Sequence, residues 1–469
     1  MFKAKYILFS IILPFALIGQ NQLGLHSSNY SGVTGIVKNP ASFQLSPLQW
    51  DAVIISGGAF IENEYAYIAN ASVSNLLFND IYLVDGTFNE GYQPSENELV
   101  YRFYDAIKPM NNHINSFVGY PSGVTRINRK TSVGLFARTR QAFSARNVHQ
   151  LWSYPNLNYW KYGEIQTSTP IWVAAALWTE VALNAARQFK FKNNIVSVGL
   201  NAKFLMSHDG LYAFVPSSTD ITLQPRHYIV NTPEAYYGFT NFENGFELRN
   251  KGSGAGLDFG LVWMNRDTEN QGYHWRLSAS LIDVGWLKFN SGAQDHFVSN
   301  GSPSVLRRLP LSQIQSLTDF AQTVSNEVMG NPTTSFVAED FTILTPAAFI
   351  FSVDYKLKPK FYANAEVARR LIFSPKQLYR ENYVSVSARY ETKWFEFGVP
   401  LVFYDDSNLR MGSWIRVGPL TIGSDYITTW FIKQNQLTGT DVYFALRINE
   451  LTFKRNRKSK RRSPDDCFW

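Results

Sequence analysis

Cysteine occurs once in 469 residues, as Cys467, which excludes an intrachain disulfide framework. Long apolar runs are missing too. Beyond the first 18 residues the best candidate, "IWVAAALW" (Ile171 to Trp178), stops after eight, too short for a membrane helix. There is no HExxH and no GxSxG elbow, and the 7 histidines lack metal-ligand spacing. No catalytic residue, cofactor site or metal site is therefore expected. His208 with Asp209 and His296 with Asp295 are expected in solvated outer loops. Net positive charge is lacking except at the two ends. Lys3 and Lys5 lie in the leader, and the tail from Lys454 to Trp469 nets +5 of the total +7, so the intervening body is about neutral. The basic pI belongs to the tail, and no nucleic-acid partner is expected.

What the chain does have begins with a leader. Lys3 and Lys5 precede an apolar core, Tyr6 to Ile18, of 13 residues. That is the pattern of an export signal, with cleavage expected after Gly19. Aromatics reach 15%, suiting a protein with interfacial aromatic bands. After the leader, period-two segments recur. "NIVSVGLNAKFLMS" sets Val196, Val198, Leu200, Ala202, Phe204 and Met206 against Ser197, Gly199, Asn201 and Lys203. "KGSGAGLDFGLVWMNRD" sets Ala255, Leu257, Phe259, Leu261 and Trp263 against Gly254, Gly256, Asp258 and Gly260. Such alternation marks strands with one apolar and one small or polar face. The glycines of the second string are two or four apart with no helix after them, so it is not a dinucleotide loop.

Tight connections fall at "RINRKTS", "KNN", "KPK", "ETKW" and "VGP". Between the pairs they join lie long segments near 74–113, 141–173, 208–252 and 288–345, with short ones such as "DDSN". Placing every tight turn on one side predicts fourteen strands near 51–72, 115–127, 131–140, 174–191, 195–207, 253–265, 273–286, 346–358, 361–371, 383–391, 394–404, 409–417, 419–428 and 440–450. The count is even, and both ends finish on the short-turn side. Short turns on one side and long loops on the other describe an outer-membrane barrel, with both termini periplasmic. A soluble sandwich alternates as well. Against it stand the leader, more than 250 residues of strands without a second core, and aromatics near strand ends at Trp275, Tyr355, Tyr390, Trp394 and Phe403. The expected fold is all-β: a transmembrane antiparallel β-barrel of about 14 strands over residues 50–453.

Two segments fall outside that wall. Residues 20–49, polar and Gly/Ser-rich with an "NPAS" turn, are expected to fold into the lumen as a plug through Asn39 and Pro40. Ser304 to Met329 has helical spacing, with Leu311, Ile314, Leu317 and Phe320 on one side, and predicts a helix in the longest outer loop. Lumen-facing or plug-contacting candidates are Gly254, Gly256, Asp258, Gly260, Asp354, Glu366, Arg389, Glu396 and Arg416, with Asp283 and Arg447 among the charges of the polar faces. Both signs are mixed, which favours pairing across the lumen over a one-sign selectivity path. The glycine strip should leave space for the plug, with Asp258 as its polar contact. The tail, residues 454–469, has two readings. Lys454, Arg455, Arg457, Lys458, Lys460, Arg461 and Arg462 either rest on anionic lipid headgroups or, with Phe468 and Trp469 as anchor, dock a periplasmic or surface protein partner.

"GSGAGLDFGLVWM" (Gly252 to Met264), "ASLIDVGWLKF" (Ala279 to Phe289) and "VGPLTIGSDYIT" (Val417 to Thr428) resemble an uncharacterised family of outer-membrane barrels from Bacteroidota. That family is similar to the FadL-type fatty-acid channels and to the PorV and PorP/SprF barrels of type IX secretion and gliding. "NPAS" (Asn39 to Ser42) resembles the NPA turn near the N-terminus of the FadL-like group. The resemblance implies a fourteen-stranded barrel with an N-terminal plug and supplies no catalytic residues. Two functions are expected: a non-enzymatic channel or transporter for a hydrophobic or small solute in outer-membrane lipid, or an interaction barrel of a surface assembly.

Overall fold

The computed structural model describes residues 2–3, 22–85, 94–104, 110–149, 161–241, 248–267, 272–307, 316–405 and 408–453. The leader segment 4–21 and the tail 454–469, with all nine of its candidate contacts, lie outside the described residues.

Fourteen wall strands form a closed antiparallel barrel among the described residues. They are β1 (Trp50–Asn63), β2 (Met110–Gly119, resuming as Ser122–Arg126), β3 (Thr131–Val148), β4 (Ile171–Phe191) and β5 (Asn194–Val215). Then come β6 (Gly252–Asp267), β7 (Gly272–Phe289), β8 (Phe341–Leu344, resuming as Ala348–Lys358), β9 (Phe361–Arg370) and β10 (Tyr383–Glu391). The ring ends with β11 (Phe395–Tyr404), β12 (Asn408–Met411, resuming as Ser413–Val417), β13 (Leu420–Ser424) and β14 (Gly439–Asn449). β14 pairs with β1 from Asp51↔Asn449 to Glu62↔Gly439, so the sheet has no free edge.

Burial runs opposite to that of a water-soluble sandwich. Leu183 is 65% exposed on the outside, Phe204 55% and Val386 56%, whereas Asp258 and Glu396 are fully buried inside. A continuous apolar outer face is untenable in water and natural in hydrocarbon. Aromatics gather at the short-turn end of this face. Trp263 and Trp275 meet edge-on at 5.1 Å, Phe361 and Tyr390 at 5.0 Å, and Tyr355 lies opposite Trp275 in the register. Among the described helices none is long and apolar enough to cross a membrane, which is silent about strands.

The differences from the sequence reading lie at the long-loop end. β1 ends at Asn63 because the Asn63 side chain accepts the backbone N–H of Tyr65 at 2.8 Å and of Ala66 at 3.3 Å, a local turn. The rest of the expected 51–72 strand, Ala66–Ala71, joins a separate sheet with Phe2–Lys3, Tyr82–Asp85, Glu98–Phe103 and Gln434–Leu437. β3, β4 and β5 run on past their expected ends, and the expected loops 208–252 and 288–345 hold further strands, Glu234–Thr240 and Ala293–Ser299, that pair with each other above β5. His208 and Asp209 therefore sit in β5 rather than in a solvated loop. Both are buried, His208 bonded to Thr179 and Asp209 paired with Lys251 at 2.6 Å. His296 is buried between Ser335 and Gln294.

The expected 304–329 helix is shorter. Ser304–Arg307 is a strand, Leu311 and Ile314 lie outside the described residues, and the helix runs Leu317–Met329. Its N-cap is Ser316, whose side chain accepts the Asp319 N–H, and it ends at left-handed Gly330. The face it buries is Ala321, Ser325 and Val328, not Leu317 and Phe320. β13 stops at Ser424, short of the expected Thr428. The Asp441 carboxylate accepts the N–H groups of Asp425 and Tyr426 there, and Ile427–Phe431 turns helical.

Candidate functional site

Residues 22–49 lie inside the ring. α1 (Leu23–Ser27), α2 (Gly32–Lys38) and a 3-10 turn at Phe43–Leu45 thread the lumen, reaching Glu391 at the short-turn end, rising along α2 to Glu366 and returning to Arg129. Spacing makes α2 amphipathic: Val33 and Ile36 share the face that packs on Val53, Val124, Phe136 and Ala182 of β1 to β4, joined by Phe43 and Leu48. Its amino end is fixed by Asp51 of β1, which accepts the Val33 N–H at 2.9 Å and is paired with Arg447 of β14 at 2.9 Å. A carboxylate suits the positive end of a helix. Gly32 is obligatory there, since φ is +55° and a Cβ would sit 2.0 Å from the Asp51 carboxylate.

The "NPAS" turn is the tightest seat. Asn39 accepts the Ala41 N–H at 3.0 Å through its own side chain. Its amide donates to the Leu261 and Ala279 carbonyls, both at 3.2 Å. The Pro40 carbonyl accepts from Asn184 at 3.0 Å, and the Ala41 carbonyl from Ser197 at 3.0 Å. Gly199 and Gly260 face each other in the register of β5 and β6. A Cβ on Gly260 would come 2.3 Å from Asn39 Oδ1 and 2.8 Å from Pro40, and one on Gly199 would come 2.4 Å from Pro40. Two facing glycines thus make the space this turn occupies.

The other candidates divide. Glu366 pairs with Lys38 of α2 and accepts the Tyr383 hydroxyl at 2.6 Å. Glu396 accepts Ser28 at 3.0 Å and pairs with Arg416 at 2.7 Å, and the Arg416 guanidinium lies 5.1 Å over the Tyr30 ring. Arg389 and Asp354 pair with each other at 2.6 Å rather than with residues 22–49. Asp258 is a correction: it does not touch residues 22–49. It holds Lys203 at 2.7 Å, accepts Asn201 at 2.9 Å and accepts the Asp283 N–H at 2.7 Å, where β7 bulges and Asp283 takes φ +55°. The bulge is in β7, where Ile282 and Asp283 stand opposite Asp258 alone, and the Asp258 carboxylate replaces the ladder partner lost there. Asn201 makes the contact instead, donating to the Ile36 carbonyl at 2.9 Å. Gly254 and Gly256 make no lumen space either. A Cβ on Gly254 would meet the Trp286 carbonyl at 1.8 Å, and Gly256 faces Gly285 across the ladder with the Lys203 stem beside it.

Sequence reading missed several wall residues that grip residues 22–49. Glu391 accepts the Asn29 amide at 2.7 Å, Arg276 donates to Asn29 Oδ1 at 3.0 Å, and Arg126 donates to the Gln44 carbonyl at 3.2 Å. Arg126 and Arg276 do fall on polar strand faces, but their partners are hundreds of positions distant or sit in another element.

Charge in the lumen is paired almost throughout. A second network joins Lys203 to Asp283 at 2.8 Å and Arg140 to Asp283 at 2.8 Å and to Glu180 at 3.3 Å. A lone buried ion costs several kcal/mol, so these pairs make a charged interior tolerable without making it a strong stabiliser. Against β6 to β9 the fit is looser. A cavity of about 40 Å³ is lined by hydroxyls of Ser31, Ser42, Ser278, Ser280 and Ser352 with Arg276, room for roughly three waters. Among the described residues no three His, Cys, Asp or Glu side chains are placed to hold a metal.

The wall also carries a groove on its outer face, about 930 Å³, walled by Leu183, Phe204, Leu257, Trp286 and Phe373. Its floor is Gly256 and Gly285. A Cβ on Gly285 would lie 2.3 Å from the Ala255 carbonyl, and Lys203 also borders the groove.

A family model described as a family of unknown function, DUF5723, matches residues 65–425. The chain belongs to that family. The matched span starts after β1 and so leaves out residues 22–49. No protein of curated function matches the chain. Among solved structures this DUF5723 chain is similar to CymD, a monoaromatic hydrocarbon channel, at 9% identity and a TM-score of 0.33, over 93% of this chain and 100% of that one. It is similar to the Ralstonia pickettii toluene transporter TbuX at 10% identity and a TM-score of 0.30, over 89% and 94%. It is also similar to a Pseudomonas aeruginosa FadL homologue at 11% identity and a TM-score of 0.22, over 87% and 91%.

Proposed function

We propose that this DUF5723 chain is a non-enzymatic outer-membrane channel for a hydrophobic or small solute, closed in this conformation by residues 22–49, with its C-terminus periplasmic. The observation that carries the reading is the lumen filled by the chain's own N-terminal segment, which is held there by side-chain contacts and by no strand pairing. A segment held that way can leave without opening the wall. The apolar groove over Gly256 and Gly285 favours a hydrophobic solute, because it offers an apolar surface over two glycines of the wall. The mixed, paired lumen charges argue against a selective ion pore.

The test is reconstitution into liposomes and planar bilayers. The full chain should admit a small aromatic hydrocarbon to the liposome lumen while passing little ionic current. Gly260→Leu, which drives a side chain into Asn39 and Pro40, should raise the current several-fold, as should deletion of residues 22–49. A full chain that admits no hydrocarbon, together with variants that stay silent, would sink the proposal. A role in a surface assembly would instead run through residues 454–469. Removing them should leave solute passage unchanged if the channel reading holds.

A further inference from the structure

The five-stranded sheet at the long-loop end has two unlike faces. One buries Ala71, Val73, Leu76, Ile81 and Leu437 against Trp430. The other lines a groove of about 710 Å³ with Tyr67, Asn70, Arg102, Lys433, Asn435 and Gln436 among its walls. Strand register makes the grouping. Tyr67 stands opposite Arg102, and Gln436 opposite Ala69, on the pairing ladder of Ala66–Ala71 with its two neighbours. The Tyr67 and Tyr104 rings lie 4.8 Å apart. The Tyr104 hydroxyl donates to Gln436 Oε1 at 3.0 Å, which leaves the Gln436 amide N–H groups to point elsewhere.

Charge in this groove differs from charge in the lumen. Arg140, Arg389, Arg416 and Arg447 each meet a carboxylate. No ion pair joins Arg102 to a carboxylate among the described residues, and no carboxylate lines the groove. A second cation, Lys433, shares the wall. Next to it in the chain stand Phe431 and Ile432, 74% and 58% exposed, two large apolar side chains beside a polar cleft.

Each component has a chemical counterpart. A guanidinium binds a phosphate or carboxylate in a two-pronged fashion. Amides donate to and accept from adjacent hydroxyls. Tyrosine faces pack on the C–H face of a sugar ring. Exposed apolar residues beside cations match the boundary between headgroup and acyl chain. We infer that the groove binds the anionic saccharide headgroup of a membrane glycolipid. Arg102 and Lys433 take the acidic group, Asn70, Asn435 and Gln436 take hydroxyls, and Phe431 and Ile432 rest on the acyl chains. The inference rests on the membrane reading of the barrel but not on solute passage.

Binding of a bisphosphorylated glucosamine-disaccharide glycolipid to the full chain in nanodiscs tests it. Phosphatidylglycerol and the deacylated disaccharide serve as comparison probes. Arg102→Ala with Lys433→Ala should weaken glycolipid binding about tenfold or more, the scale of losing one charge-assisted contact. The same pair should leave phosphatidylglycerol binding unchanged. Phe431→Ser should weaken the glycolipid and spare the deacylated sugar. The inference is overturned if the double variant binds the glycolipid as wild type does. Equal binding of phosphatidylglycerol, which would mean charge alone, overturns it too. A deacylated disaccharide binding as tightly as the glycolipid overturns the lipid-linked occupant. Liposome hydrocarbon uptake on the same variants should be normal, which separates failure here from failure of the channel reading.

Discussion

Residues 22–49 touch the barrel on two sides that differ in kind. Towards β1 to β4 the contact is dry: Val33, Ile36, Phe43 and Leu48 close on Val53, Val124, Phe136 and Ala182. Towards β6 to β9 it is largely polar: Asn39 bonds the Leu261 and Ala279 carbonyls, Lys38 pairs with Glu366, and serine hydroxyls line a cavity of about 40 Å³ beside them. Burial of apolar area is non-directional and collectively strong, whereas hydroxyls exchange one hydrogen bond for another at small net gain. The segment is therefore held by apolar burial on one side and by polar contacts beside a cavity on the other. Any outward motion should hinge on β1 to β4 and open first along β6 to β9.

The largest expected effect comes from the polar clamp at the dry edge. Asp51→Ala removes the partner of buried Arg447 and the cap of α2. It should cost about 3–5 kcal/mol, the penalty of stranding a buried charge, read as a lower denaturant midpoint in micelles. A midpoint within error of wild type would break the idea that this edge is the anchor. Ile36→Ala acts on the dry face proper. A loss of about 2–4 kcal/mol is expected for a fully buried aliphatic side chain, with faster amide exchange across residues 33–38 while the wall strands stay protected.

A smaller effect should follow pH. Burial first, and the Lys38 ammonium second, hold the His26 imidazole well below its ordinary value of 6.5, so His26 is neutral in place. Away from the barrel it takes up a proton near 6.5. Protons therefore favour the released state. The contribution is intact above about pH 6.5 and is lost as pH falls from there towards the lower folded value. Amide exchange in residues 23–34, corrected for intrinsic rates, should be faster at pH 5.5 than at pH 7.5, and His26→Gln should remove the difference. Equal protection at both pH values would count against it. The smallest effect is expected from Ser280→Ala and Ser352→Ala on the polar side, within about 0.5 kcal/mol. If these cost as much as Ile36→Ala, the two sides are not different after all.

The architecture was legible because the barrel wall is a local code. Each strand carries its apolar face on alternate residues, and most tight turns carry a Pro or Asn. Val384, Val386 and Ala388 against Ser385, Ser387 and Arg389 can be read without knowing what lies beside them, and β10 follows that pattern. Strands beyond the membrane zone were not legible. Glu234–Thr240 and Ala293–Ser299 have no lipid side, so nothing forces the alternation. The Leu317–Met329 helix was read too long, since an apolar spacing continues where its Ser316 cap already starts it.

By itself, then, the sequence determined that this chain closes on itself as a ring with an apolar outside, because the period of two and the medium outside leave little else. It also marked the glycine strip and "NPAS" as places of close approach. Which glycines meet which residues was decided only by the tertiary structure. Gly199 and Gly260 receive Pro40, while Gly254 yields to a neighbouring carbonyl and Asp258 turns to Lys203. The reason is that lumen contacts join residues up to 417 positions apart, as between Tyr30 and Arg447. Ring closure and strand stagger select those partners, and neither is written in any one strand.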